Sequence, residues 1–368
     1  MRFGAGERAL QTDRLGKEGG DWRGITLGFG SLDVFGRVEM KKNDDKIARL
    51  LIAYDGSGYS HAILNELQSS GLPNKAEVII ISVAEIWLPV EYQEAKNSPD
   101  SNVAEYVRKR FEQADRNLAE TKVIVREARE ELLRYFPDWN IKTEVQSGSP
   151  ARKILSRSRE FDPDLVVVGA QGLSSDRETG LGSISQKVLT SAKCSVRISR
   201  PRPDVSRSRL KIIIGFDASK GSMAAVRTVA LRRWKTKPEI RLVTITDPFI
   251  LLKPGRVLQP VLGLSEGRMK GEQEWVKMLA ANALQVLHDA GLSVTLHIYD
   301  GNPRMVMVRE AEKWGADSVF IGANSFQVEP EFYPLGCVAS AIAARANCSV
   351  EVVRIGNNPQ LQIYGFHA

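Results

Sequence analysis

Leu165-Val166-Val167-Val168-Gly169-Ala170-Gln171-Gly172 is the stretch on which the reading of this chain turns. Four apolar residues, three of them β-branched, run into a glycine-rich turn, and Gly182-Ser183 follow after nine intervening residues. A short run that is apolar throughout suits a parallel strand covered on both faces. A glycine turn between such a strand and a helix is where parallel α/β sheets hold phosphates. The stretch has an altered copy, Val319-Phe320-Ile321-Gly322-Ala323-Asn324-Ser325, with Gly336-Cys337 after ten intervening residues.

Working outward, the two copies belong to a longer repeat. Gly148, Pro150, Asp164 and Gly169 match Gly301, Pro303, Asp317 and Gly322 at a constant offset, since 301 − 148 and 322 − 169 are both 153. Four punctuation residues in one register are not a chance pattern. Leu50-Leu51-Ile52-Ala53-Tyr54-Asp55-Gly56-Ser57 matches Ile212-Ile213-Ile214-Gly215-Phe216-Asp217-Ala218-Ser219. Cys194-Ser195-Val196 matches Cys348-Ser349-Val350.

The first copy reads as strands 49–54, 77–83, 140–146, 164–168 and 195–199, alternating with helices 58–69, 102–135, 150–159 and 183–192. Val103, Val107, Phe111, Ala114, Leu118, Val125, Ala128, Leu132 and Tyr135 mark one face of the long helix, and Pro137 stops it. Alternating strands and helices imply a parallel sheet with right-handed crossovers. The expected organisation is an extension over 1–44, domains at 45–200 and 209–356, a linker at 201–208 and a tail at 357–368. The glycine-rich 1–44 segment is expected to be poorly ordered.

Composition narrows the function classes. The chain has 368 residues, 43% hydrophobic and 26% charged, which is ordinary for a globular protein. No apolar run is long enough to span a membrane, and the N-terminus shows no signal-peptide pattern. Three cysteines argue against a disulfide framework and for the cytoplasm. The net charge of +7 is partly gathered in Arg200-Pro201-Arg202-Pro203 and Arg207-Ser208-Arg209, which read as a solvated linker. No nucleic-acid motif accompanies them. His61, His288, His297 and His367 are scattered, so no metal site is expected.

Candidate binding residues follow from the strand ends. Asp55 closes the first strand, where a carboxylate can accept from ribose hydroxyls, help hold a metal carried by phosphates, or simply cap the next helix. Gly169 and Gly172 remove Cβ where backbone approaches a ligand and permit positive φ, and Gly182 does the same before the next helix. Amide groups from Ser183 onward would then face an anion along the helix dipole. The Ser183 hydroxyl can donate to phosphate, with Ser185 a second candidate. Cys337 reads as inert, since no His or Lys stands near it in sequence, and Cys194 and Cys348 read as core.

Asp55-Gly56-Ser57, Gly148-Ser149-Pro150, the run from Asp164 to Gly169, the glycine motif and Cys194-Ser195-Val196 together resemble the universal stress protein family, and the resemblance covers both copies. It implies two tandem doubly wound domains, each with a five-stranded parallel sheet of adenine-nucleotide-binding type, joined through their last strands as an intramolecular pseudo-dimer. It also implies ATP, with Mg2+ at its phosphates, in members that keep the glycine motif. Asp55 would contact the ribose or the metal–phosphate end, and Val83 would hold adenine through its backbone. Gly169, Gly172, Gly182 and Ser183 would cradle the phosphates.

The second copy departs from that pattern. Ser325 replaces a glycine, Cys337 replaces the hydroxyl donor, and Phe326, Phe332 and Tyr333 add bulk, so ATP is expected in the first copy only. The resulting reading is an ATP-binding stress-response module with an adenine nucleotide as ligand, an unspecified protein partner, and no membrane or nucleic-acid partner. Self-association beyond the pseudo-dimer stays open. The alternatives are a slow ATPase or other adenine-nucleotide-using enzyme, and a nucleotide-free interaction scaffold. Binding is favoured over catalysis because no general base stands near the motif.

Overall fold

The structure is a computed structural model describing residues 25–27, 47–84, 101–172, 180–202, 204, 206–246, 266–323 and 335–355. A short strand β1 (Ile25–Leu27) comes first. The first half follows as β2 (Ala48–Ala53), α1 (Gly58–Leu67), β3 (Ala76–Ala84), α2 (Ser101–Tyr135), β4 (Asn140–Ser147), α3 (Pro150–Phe161), β5 (Leu165–Gly169), α4 (Ser183–Ser191) and β6 (Ser195–Ser199). The second half repeats it as β7 (Lys211–Gly215), α5 (Lys220–Leu231), β8 (Glu239–Thr246), α6 (Glu266–Asp289), β9 (Ser293–Asp300), α7 (Pro303–Trp314), β10 (Ser318–Gly322), α8 (Cys337–Arg345) and β11 (Ser349–Val353).

The repeat is built by matched local chemistry. Pro150 and Pro303 open α3 and α7 at a position whose amide needs no helical acceptor. Both helices end on a left-handed residue, Asp162 (φ 47°) and Gly315 (φ 64°). Asp164 and Asp317 tie strands together, accepting from Arg49 N at 3.0 Å and from Lys211 N at 2.8 Å. These bonds explain why both aspartates keep the repeat register.

Within each half the five strands are parallel. All join one eleven-stranded sheet in the order β1-β9-β8-β7-β10-β11-β6-β5-β2-β3-β4. The central strands bury both faces, as their unbroken apolar runs require. One core layer, including Val166, Val168, Val319 and Ile321, runs under α3, α4, α7 and α8 without a break between halves. On the other face α1 and α2 cover the first half through Leu64 and Leu132, and α5 and α6 cover the second through Val226 and Leu287. The halves meet where β6 pairs antiparallel with β11, setting Glu351 opposite Arg197.

Within the 1–44 segment Ile25–Leu27 add antiparallel to β9, so the second half carries a sixth strand. Two expectations are corrected. The basic stretch is not a solvated linker. Arg200 is buried with its guanidinium on carbonyls of the second half, and Arg202 and Arg207 both pair with the buried Asp317 carboxylate. Tyr135 is exposed, and Phe136 takes the core place, stacked on Trp139 at 3.8 Å. The side chains of Val103 and Val107, and the tail 357–368, lie outside the described residues.

Candidate functional site

In each half the strand order reverses between the first and fourth strands, so helices leave in opposite directions and open a crevice at the strand ends. In the first half this crevice lies between β2 and β5. An open cleft of about 320 Å³ is there, lined by Ser57, Gly58, Tyr59, Gly172 and Pro201. That volume lies at the lower end of small-molecule sites.

The Asp55 corner is tightly organised. Oδ1 of Asp55 accepts from Ser57 N at 3.0 Å and from the Ser60 hydroxyl. The cap of α1 is Ser57, whose hydroxyl accepts from Ser60 N at 3.2 Å, so Asp55 is not the helix cap. Gly56 lets the chain turn with φ 75° between the two. Tyr54, just upstream, is pushed to about 12 by burial and by the carboxylates of Glu131, Asp55 and Glu127.

The glycines act through room, not through left-handed backbone. Gly169, Gly172 and Gly182 are all absent from the positive-φ residues, against expectation, and Gly182 has φ −64°. A Cβ on Gly172 would stand 2.7 Å from Oδ2 of Asp55, so only glycine admits that carboxylate. A Cβ on Gly169 would meet Gln171 O at 3.1 Å and Tyr59 Cβ at 3.3 Å. Gly182 donates to Ala170 O at 2.9 Å, which folds the start of α4 against the turn after β5.

The candidate residues thus fall into groups. Asp55, Gly172 and Gly182 surround one corner, and Ser183 stands exposed on the first turn of α4, whose amides lack helical acceptors. Ser185 points elsewhere: it is buried and its hydroxyl donates to Gly169 O at 2.6 Å, locking α4 to β5. Val83 lies near the end of β3, two residues beyond the Ala53–Ile81 pair, apart from the glycine corner. Residues not anticipated are Ser57, Gly58, Tyr59, Ser60 and Pro201. The repeated Ser57-x-x-Ser60 and Ser219-x-x-Ser222 pattern signalled two of them. Nothing local signalled Pro201, which arrives from beyond β6.

The second half differs at the same corner. Asp217 is exposed, with Oδ1 accepting from Ser219 N at 3.1 Å, and Ala218 holds φ 60° where the first half has glycine. A Cβ on Gly322 would lie 2.4 Å from the backbone carbon of Gly221, so the start of α5 rests directly on the end of β10. Cys337 opens α8 in the place of Ser183, exposed, with Nη2 of Arg304 at 3.3 Å from its sulfur. Burial pushes the thiols of Cys194 and Cys348 up to about 11 and about 12, consistent with packing roles. Ser325, Phe326, Phe332 and Tyr333 lie outside the described residues.

Comparison with known proteins meets this geometry. The sequence model of the Universal stress protein family matches twice, at residues 46–200 and 209–354. The chain belongs to the universal stress protein family. As a tandem member, it is 25% identical over 157 residues to a universal stress protein of Synechocystis sp., covering 41% of this chain and 96% of the relative. It is 28% identical over 155 residues to one from Thermus aquaticus, covering 41% of this chain and 97% of the relative. The crystal structure of a universal stress protein from Archaeoglobus fulgidus shares the fold at TM-score 0.51 and 18% identity, covering 84% of this chain and 97% of that one. Among the described residues no helix is long and apolar enough to cross a membrane.

Proposed function

We propose that the first half of this universal stress protein binds an adenine nucleotide at the Asp55–Gly172 corner, and that occupancy regulates the chain's interaction with a protein partner. One observation carries the reading. Gly172 lines the first-half cleft and lies against both the Asp55 carboxylate and Gly182, which precedes the first turn of α4, whereas α5 packs onto the end of β10 in the second half. The donor set suits a phosphorylated ligand: Ser183 and the first-turn amides of α4 face an anion, and Asp55 suits ribose hydroxyls or a phosphate-bound Mg2+. ATP is therefore the ligand to test first, with Val83 at the adenine end.

In this reading Ser185 positions α4 and does not touch the ligand. The second half is a structural partner, the paired β6 and β11 make the chain an intramolecular pseudo-dimer, and the protein works in the cytoplasm. Calorimetric titration of the full chain with ATP and Mg2+ tests it. One site per chain is expected, lost in Gly182→Val. Two equal sites would defeat the asymmetry. No site at all would favour a nucleotide-free scaffold, and turnover of several ATP per second would favour an enzyme.

A further inference from the structure

We propose that the Arg197–Glu351 pair is a pairing code that makes the last-strand edge of the first half accept the second half and reject another first half. The register places this pair at the centre of symmetry. Residues 194, 195 and 200 match 348, 349 and 354 at an offset of 154, and the same offset relates 197 to 351. Ile198 faces Val350 and Val196 faces Val352, so the pseudo-two-fold axis passes between Arg197 and Glu351. A residue on such an axis meets its own equivalent when two identical halves pair.

Around the axis the joint is symmetric and cannot discriminate. Arg200 donates to Ala343 O at 2.7 Å and Cys348 O at 3.3 Å, closing the C-terminal end of α8. Arg354 repeats this on Leu189 O at 2.7 Å and Cys194 O at 3.3 Å, closing α4. Ser349 accepts from Arg200 N at 3.0 Å and Ser195 from Arg354 N at 3.1 Å. Each contact would form equally well in a pair of identical halves.

The axis itself breaks the symmetry. Arg197 is fully buried and donates to Glu66 at 2.9 Å, to Glu351 at 2.8 Å and to the Ser318 hydroxyl at 2.8 Å. Glu351 also accepts from Arg232, which donates onward to Ser70 O at 3.1 Å. The buried charges alternate as Glu66, Arg197, Glu351, Arg232. Two first halves would instead order them Glu, Arg, Arg, Glu, and two second halves Arg, Glu, Glu, Arg. Net charge stays zero in all three, but the central contact turns repulsive in the homotypic pairs, away from water.

The second half also supplies what Arg197 needs beyond its carboxylate. Phe320 lies under the guanidinium at 5.6 Å, and the Ser318 hydroxyl is its third hydrogen-bond partner. The first half has Val167 and Leu165 at the matching places, which offer neither. The chain therefore closes on itself through these strands, and any contact with a second copy uses another surface. The inference stands independently of nucleotide binding.

The experiment inserts a protease site after Asp204 in the full chain and prepares plain and isotope-labelled batches. Both are cut after folding, mixed in moderate urea, returned to buffer and weighed by native mass spectrometry. Pairs of one first and one second half with scrambled labels are expected, homotypic pairs staying below about a tenth of them. In the fourfold variant Glu66→Leu/Arg197→Leu/Arg232→Leu/Glu351→Leu, which empties the buried row of charge, the homotypic pairs rise toward their random share. Random pairing in the unsubstituted protein, or no rise in the fourfold variant, overturns the proposal. If the cut halves do not exchange, the uncut chain decides. Arg197→Leu leaves Glu66 buried without its arginine and Glu351→Leu sets Arg197 against Arg232, whereas the fourfold variant leaves no charge in the row. Each single variant is expected to melt about 5 °C below the fourfold variant, and singles melting at or above it overturn the proposal.

Discussion

The Asp55 corner and the Asp217 corner were built from one pattern and now differ in what stands at the strand ends. In the first half the backbone carbon of Tyr59 stays 3.6 Å from where a Gly169 Cβ would be, and in the second that of Gly221 comes to 2.4 Å from a Gly322 Cβ. A glycine on the helix, Gly221, lets α5 settle onto the end of β10, where the first half has Tyr59 at a greater distance from Gly169. The two copies of the repeat thus differ in backbone approach as well as in the side chains at their strand ends.

The sharpest way to break this comparison is to add one methyl to each strand end. Gly322→Ala forces a carbon into the α5 backbone, which cannot yield as a flexible side chain would, and is expected to destabilise by about 3 kcal/mol or more. Gly169→Ala meets looser neighbours and is expected to cost about 1 kcal/mol. Urea unfolding of both variants checks this, and equal losses would mean the two corners are packed alike.

Acid should separate the halves next. His297 of β9 is 4% exposed, and burial together with the neighbouring Arg241 guanidinium lowers it to about 4. Thr295, Tyr299 and the Arg241–Glu310 pair surround it, while Glu144 fills the matching place in the first half and pairs with Arg157 nearer the surface. The folded histidine resists protonation, so the unfolded chain binds the extra proton between about pH 6.5 and 4. Stability should fall as pH drops through that window, by up to about 3 kcal/mol. Melting followed from pH 7 to 4.5 should show it, and His297→Gln should flatten the slope. An unchanged slope would place the acid sensitivity elsewhere.

Ligand binding sharpens the comparison at the site itself. Gly172→Ala pushes the Asp55 carboxylate aside and is expected to weaken ATP binding about tenfold while melting stays within a few degrees. The smallest effect concerns the turn before the first helix of each half. Ala218 holds a left-handed φ of 60°, so Ala218→Gly should gain about 0.5 kcal/mol once the freedom of unfolded glycine is subtracted. Gly56→Ala should lose about 1 kcal/mol or more, since its Cβ would also press on Ile124 at 3.1 Å. A loss in both would mean that residue 218 is held by something other than its backbone.

Much of this fold was legible because its signals are local. The runs at 165–168 and 319–321, the prolines at 150 and 303 and the constant offset each declare a strand, a helix start or a repeat unit within a few residues. The candidate corner was legible at Asp55 and in the glycine spacing, which the structure brings together at Asp55 and Gly172. Its details were not. Ser185 reads like a phosphate ligand until its hydroxyl is seen to donate to Gly169 O, and Gly169, Gly172 and Gly182 read as places for positive φ until none of them shows it. The arginines at 200, 202 and 207 read as solvated because their partners lie 110 or more residues away.

The sequence by itself determined the alternation of strands and helices, the duplication and the residues at the strand ends, because periodicity and turn chemistry act over a handful of bonds. Only the tertiary structure decided that α5 closes on β10, that Pro201 borders the cleft, and that Arg197 meets Glu351 on an axis of symmetry. Those facts depend on how far one backbone can approach another and on which buried charges end up adjacent, and neither is set until distant parts of the chain have packed.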